Sequence, residues 1–216
     1  KVKLLDELPD GHMGFPGNLK VETTYEVNKT SIDIFIEAST DKTTLCNFTN
    51  HSYFNLDGTK NIADHNLIVN CDQVLPVDKN GIPLTKPVSA KKLDLDFKNS
   101  RKLSYNGKPT EIDHNFCISN IQQNLRTNAI VSAKNISLEL LSTEPGLQVY
   151  TGKGLDSGND EGWGGFPYKE YAGIALEPQI WPDSPNQNGF PNPYLRPHEI
   201  YKHHTRIKFS NSKDKK

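Results

Sequence analysis

A chain of 216 residues carrying 8 Tyr, 9 Phe and 2 Trp is long enough for one sizeable domain and too aromatic for a disordered segment, although only 34% of it is hydrophobic. Its net charge of -1, with acidic and basic residues interspersed, excludes the basic footprint of a nucleic-acid or anionic-membrane binder and favours a neutral partner. No segment approaches membrane-spanning length and the first residues hold no apolar signal core, so cytoplasmic residence is the expectation.

In chain order, residues 21–27 and 32–38 alternate apolar and polar, the period of half-buried strands. The stretch CNFTNHSYFNL (46–56) reads as a continuation of strand from Thr44, with Cys46, Phe48 and Asn50 on one side and Asn47, Thr49 and His51 on the other. Residues 65–69 are a further strand, and 91–103 a candidate for a short helix. Strands follow at 113–118, at 129–133 and 136–141 as a hairpin, and at 146–151, 172–177 and 206–209. Turn chemistry separates them at Pro9-Asp-Gly, Asp57-Gly, Asn80-Gly, Asn106-Gly and Glu144-Pro-Gly, and a long glycine-rich loop covers 152–167. The charge run at 210–216 is expected to be a disordered tail. Cys46, Cys71 and Cys117 lie in or beside apolar runs, at spacings that suggest neither a metal site nor a disulfide framework, and are expected as reduced core residues. With 14 Pro and 15 Gly spread through many short strands and no linker or repeat, the fold class is mainly β, one large antiparallel β-sandwich over 1–216.

Four places carry polar groups inside strand-like runs. In 46–56, buried amides and hydroxyls need hydrogen-bond partners, so Asn47, Thr49 and Asn50 read as a structural network. His51 differs, because imidazole titrates near neutrality and both donates and accepts protons. Glu177 ends an apolar strand just before Pro178, a placement in which partial desolvation raises carboxylate basicity; a surface Glu at a strand end is the equal alternative. Asp113, His114 and Asn115 interrupt a third run, and Gln148 stands between Leu147 and Val149 in a fourth. One imidazole, two carboxylates and an amide suit a neutral polyhydroxylated ligand better than a metal, phosphate or nucleotide, for which no motif is present. Aromatic rings pack well on the C–H face of a sugar. Trp163 and Trp181 both fit that role, with core packing the plain alternative for each; Trp163, in Glu161-Gly-Trp-Gly-Gly, lies in a loop too glycine-rich for ordinary core and is the better of the two for a site rim.

Together these segments resemble the aldose 1-epimerases, or galactose mutarotases. The resemblance is carried by PDGHMGFPGNLKV (9–21), NFTNHSYFNL (47–56), LPVD (75–78), IDHNFC (112–117), GLQVYTG (146–152), LEPQIWPDSPN (176–186) and Leu195-Arg-Pro, in the family's order along nearly the whole chain. It implies a galactose mutarotase-like supersandwich. It implies that His51 protonates the pyranose ring oxygen, that Glu177 takes the proton of the anomeric hydroxyl, and that Asp113, Gln148, Asn50 and Tyr53 contact the sugar. It implies a monosaccharide (galactose or glucose) as partner, with no cofactor, no metal, no nucleic acid and no membrane. Pro178 stands where many relatives have Thr, a change of little consequence if Glu177 keeps its direction. The family's earlier segments, Asn-Arg and Leu-His-Gly, have no counterpart, so the expectation is the C-terminal two thirds of a domain that lacks its N-terminal strands, with open edges and apolar surface. Two rival readings are a hexose-6-phosphate 1-epimerase, which needs cations for the phosphate where only Arg101, Arg126, Arg196 and Arg206 are available, and a sugar-binding relative without turnover.

Overall fold

The computed structural model describes residues 1–84 and 86–211. Its first strands are β1 (Val2–Leu8), β2 (Leu19–Val27), β3 (Ser31–Thr40), β4 (Thr44–Leu45), β5 (Tyr53–Phe54) and β6 (Asn66–Val69). Next come β7 (Gln73–Val74), β8 (Val88–Ser89), β9 (Arg101–Lys102), β10 (Ser104–Tyr105), β11 (Lys108–Pro109) and β12 (Asp113–Cys117). The last are β13 (Arg126–Ala133), β14 (Ile136–Ser142), β15 (Gly146–Tyr150), β16 (Ile174–Gln179), β17 (Tyr194–Leu195) and β18 (Tyr201–Asn211).

An eight-stranded sheet in the order β1-β2-β3-β18-β14-β13-β6-β9 packs on a six-stranded sheet in the order β5-β16-β15-β12-β7-β8, with every ladder antiparallel. The period-2 alternation explains why they meet. Ile34, Ile36, Leu67, Val131, Leu138 and Leu140 line the inner face of the larger sheet, and Phe116, Leu147, Val149, Ile174 and Leu176 that of the smaller, in one buried cluster. The expected antiparallel sandwich and its 129–141 hairpin are present. Cys46, Cys71 and Cys117 are free and buried, and no helix among the described residues is long and apolar enough to cross a membrane.

Three local expectations are corrected. Residues 91–103 hold no α-helix: a 3-10 turn at Ala90–Leu93 is closed by Asp94 in the left-handed region (φ 55), and the short strand β9 follows. Strand β18 runs on to Asn211, pairing Ser210 with Ser137, so the expected tail does not begin at 210; residues 212–216 lie outside those described. Strand β4 stops at Leu45, leaving 46–52 without ladder structure and without the two-sided alternation expected of it. Strand β1, an edge strand with Val2, Leu4 and Leu5 exposed, lacks clean alternation and was not expected.

Candidate active site

In a strand, side chains of like parity share a face, and in an antiparallel ladder directly opposed residues share it too. The registers Asn115↔Gln148 and Gln148↔Glu177 therefore put Asn115, Gln148 and Glu177 in one row across β12, β15 and β16. The flanking rows are Asp113, Tyr150, Ala175 and Tyr53 on one side and Cys117, Gly146 and Gln179 on the other. Intervening residues such as Phe116, Val149 and Leu176 point into the core. The outer face of the six-stranded sheet thus carries Asp113, Asn115, Gln148 and Glu177, whereas His114, opposite Val149, lies on the inner face.

His51 joins this row by the same geometry. Strand β5 pairs Phe54 with Ile174 and Tyr53 with Ala175, and two more residues along that register lie His51 and Glu177. Their side chains meet, with His51 Nε2 3.5 Å from Glu177 Oε1. The backbone of 46–52 cannot be held by ladder bonds, and an amide side chain substitutes for them. Asn47 Nδ2 donates to the Ile180 carbonyl at 3.1 Å while Asn47 Oδ1 accepts the Ile180 N–H at 2.9 Å. This two-bond clamp ties the segment leading to His51 to the segment leaving Glu177. The expected network of three residues reduces to this one: Thr49 Oγ1 is buried without a partner, and Asn50 Oδ1 accepts the Ser52 N–H at 3.2 Å.

The cavity over the row measures about 330 Å³ and is lined by His51, Leu75, Val77, Gly81, Asp113, Asn115, Gln148, Tyr150, Glu177, Gln179 and Pro182. It brings together four of the six residues named from sequence. Tyr53 stands at its border, with its ring 5.0 Å from that of His51 and 6.2 Å from that of Tyr150. Asn50 is not part of the lining, because its side chain closes the turn that sends His51 outward. Sequence reasoning passed over Tyr150 and Gln179, although each sits two residues from Gln148 or Glu177 and so on the same face. Trp181 is core: it is buried, its Nε1–H donates to the Pro145 carbonyl at 3.0 Å, and it packs with Leu75 and Cys117.

Electrostatics separate the two carboxylates. The Glu177 side chain is only 10% exposed against 51% for His51, and burial pushes the Glu177 carboxyl above its ordinary 4.5, with nearby Asp113 adding to the rise and His51 opposing it. Asp113 is exposed, and its Oδ1 accepts a hydrogen bond from Gln148 Nε2 at 2.6 Å. Burial also raises the Tyr53 phenol, helped by Tyr150, Glu177 and Asp113. A basic carboxylate thus touches a solvent-accessible imidazole beside an acceptor and donor pair, a set that can move two protons on adjacent atoms of a hydroxylated ligand. Among the described residues no group of three or more His, Cys, Asp or Glu side chains forms a metal-ligand set.

Comparison with known proteins gives a consistent answer. The family model described as aldose 1-epimerase matches residues 1–208. Galactose mutarotase from Mus musculus is 39% identical over 208 residues, covering 94% of this chain and 60% of its own length. Aldose 1-epimerase from Escherichia coli is 34% identical over 213 residues, with 93% and 61% covered. Among solved structures, an aldose epimerase homologue from C. elegans superposes with a TM-score of 0.87 at 28% identity, covering 97% of this chain and 65% of that one. Galactose 1-epimerase from Lactobacillus acidophilus superposes at 0.80 with 29% identity, covering 97% and 61%. The chain spans about 60% of the length of these curated relatives.

Proposed function

The chain belongs to the aldose 1-epimerase family, and from that premise we propose that it interconverts the α and β anomers of galactose or glucose, with His51 as acid and Glu177 as base. The observation that carries this reading is the 3.5 Å approach of His51 Nε2 to Glu177 Oε1. The anomeric oxygen and the ring oxygen are bonded to the same carbon. An acid for one and a base for the other must therefore stand side by side, of opposite proton demand, and this pair does.

Glu177, desolvated and made more basic, takes the proton from the C1 hydroxyl. As the C1–O5 bond breaks, His51 gives a proton to O5, leaving the open-chain aldehyde. Rotation about C1–C2 presents the other carbonyl face, the C5 hydroxyl returns its proton to His51 while its oxygen attacks C1, and Glu177 returns its own to the new anomeric oxygen. Asp113 and Gln148, already joined at 2.6 Å, present an acceptor and an amide to hydroxyls on the far side of the ring. Tyr53 packs against the His51 ring and limits its orientation. The chemistry needs no group beyond these side chains and the sugar.

The test is polarimetry of freshly dissolved α-D-galactose and α-D-glucose with the full chain. His51→Ala and Glu177→Ala are each expected to lower kcat/KM by about 10²- to 10⁴-fold, the usual worth of a positioned acid or base. Sugar binding with no acceleration would replace catalysis by a saccharide-binding role. Acceleration that survives both substitutions would end the mechanism.

A further inference from the structure

Strand β18 of the larger sheet turns a histidine inward. His203 shares its face with Thr205 and the core residue Ile207, stands opposite Ile36 of β3, and is buried. Burying an imidazole among aliphatic neighbours is costly unless its nitrogens find partners, and both do. Nδ1 lies 3.0 Å from the Phe48 carbonyl oxygen, while Nε2 lies 2.7 Å from Thr205 Oγ1 and 3.4 Å from Ser142 Oγ. A carbonyl oxygen only accepts, so the ring proton belongs on Nδ1 and Nε2 accepts from a hydroxyl. Burial holds the imidazole down to about 4, which keeps this tautomer neutral at neutral pH. Phe48 belongs to the 46–52 segment, which has no ladder bonds and carries His51 three residues further on. Elsewhere in that segment the Cys46 N–H donates to the Pro193 carbonyl at 2.9 Å and the Asn47 side chain clamps Ile180. His203 holds the next peptide, between Phe48 and Thr49, from the core side and closer along the chain to His51.

We propose that His203 is a positioning residue for the acid: its Nδ1–H, donated to the Phe48 carbonyl, fixes the segment that sets His51 beside Glu177. The inference rests on the anomer-interconverting reading above and names what orients its proton donor. His203 itself is no part of the cavity lining and acts only through the backbone it holds. The bond reaches from the larger sheet to the chain that enters the smaller one at β5, so it ties the reacting pair to the rigid interior of the sandwich. Tyr201, from the same strand, adds an edge-on contact to the Phe48 ring at 6.0 Å. The two sides of the imidazole are unequal in this role. Thr205 Oγ1 and Ser142 Oγ lie 3.2 Å apart, and Ser142 Oγ also reaches the His204 carbonyl at 3.3 Å, so the hydroxyls satisfy one another without Nε2. The Nδ1 side is the one that reaches the site. Where an acid and a base must meet adjacent atoms of one ring, a displacement of about 1 Å lowers turnover on the order of 10²-fold.

Two amide substitutions divide the ring between them. In His203→Asn the amide nitrogen takes the place of Nδ1 and keeps the donor to Phe48, whereas in His203→Gln the amide extends to the place of Nε2, fills more of the space and loses that donor. A residue that merely fills the core ranks Gln above Asn; a positioning residue ranks Asn above Gln. With the full chain, kcat and KM for fresh α-D-galactose are followed by polarimetry, and amide hydrogen exchange across 46–52 by mass spectrometry. His203→Gln is expected to lower kcat about ten- to hundredfold with KM within about threefold, and to speed exchange in 46–52 on the order of tenfold. His203→Asn is expected to stay within about threefold of the parent in both readouts. Nitrogen NMR of the parent, which needs no variant to fold, should show a neutral His203 with its proton on Nδ1. An Nε2–H tautomer, parent-like exchange in His203→Gln, a KM rise that matches the kcat loss, or an Asn variant as impaired as the Gln variant overturns the proposal. A parent that accelerates no sugar, but whose 46–52 segment loosens with Gln and not with Asn, would sink the catalytic reading and leave the hold of His203 on the segment standing.

Discussion

In the proposed mechanism Glu177 is the base, and its environment gives that proposal a directional dependence on pH. Burial raises its carboxyl above 4.5, the negative charge of Asp113 raises it further, and His51 pulls it back. A base works only when deprotonated, so the proposed activity is expected to fall as pH drops through the raised value, with the acid limb of the kcat/KM profile above the ordinary carboxylate range. Asp113→Asn removes the like charge. Whatever it does to KM, it is expected to move that limb toward lower pH, which a polarimetric pH series on both proteins would measure. A limb that stays in place would remove Asp113 from the electrostatics of the base.

Elements carry the positioning. The strands that hold Asp113, Gln148 and Glu177 were legible because each pairs an apolar core face with a polar outer face, so period-2 alternation and the family motif pointed to the same residues. The 46–52 segment was not legible in the same way. Its asparagines, threonine and aromatics fit a strand pattern, yet Asn47 satisfies the Ile180 peptide with its side chain, a long-range bond across 133 residues that no local periodicity announces. Strand β1 was missed because its Lys, Leu and acidic residues do not alternate. The 91–103 run supports one tight turn and the short strand β9 in place of a helix. Asn47→Ala, which breaks both bonds of the clamp, is expected to cost about 1–3 kcal/mol of stability. Since it frees His51 relative to Glu177 without touching the sugar, it should lower kcat more than it raises KM. Equal changes in the two would mean that the clamp does not position the pair.

At the scale of the molecule the two sheets are joined where β14 of the larger one turns into β15 of the smaller, and a buried carboxylate sits at that corner. Glu144 is fully buried; its Oε1 accepts from Gln122 Nε2 at 2.6 Å, while Oε2 has no partner. Arg126 braces the corner through the carbonyls of Ser142, Thr143 and Glu144 at 3.2, 3.3 and 3.0 Å and through the Ser119 hydroxyl at 2.8 Å, spending its donors away from the carboxylate. Burial accordingly pushes the Glu144 carboxyl up to about 7, above the ordinary 4.5. A carboxyl whose folded value is raised holds its proton more tightly in the native state. Its contribution is complete below 4.5 and is lost as pH climbs through about 7, a swing of up to ~3 kcal/mol. His65, His114 and His203 are each lowered from 6.5 by burial and act in the opposite sense, costing stability as pH falls. The raw pH dependence therefore mixes signs, and the difference between parent and variant isolates the corner. Glu144→Gln keeps the shape and removes the titration. Urea unfolding across the range from about pH 5 to pH 8 is expected to show the variant gaining on the parent as pH rises, by up to ~3 kcal/mol. A difference that does not change with pH would mean that Glu144 is already ionised in the folded protein, and that the junction between the sheets accommodates a buried charge.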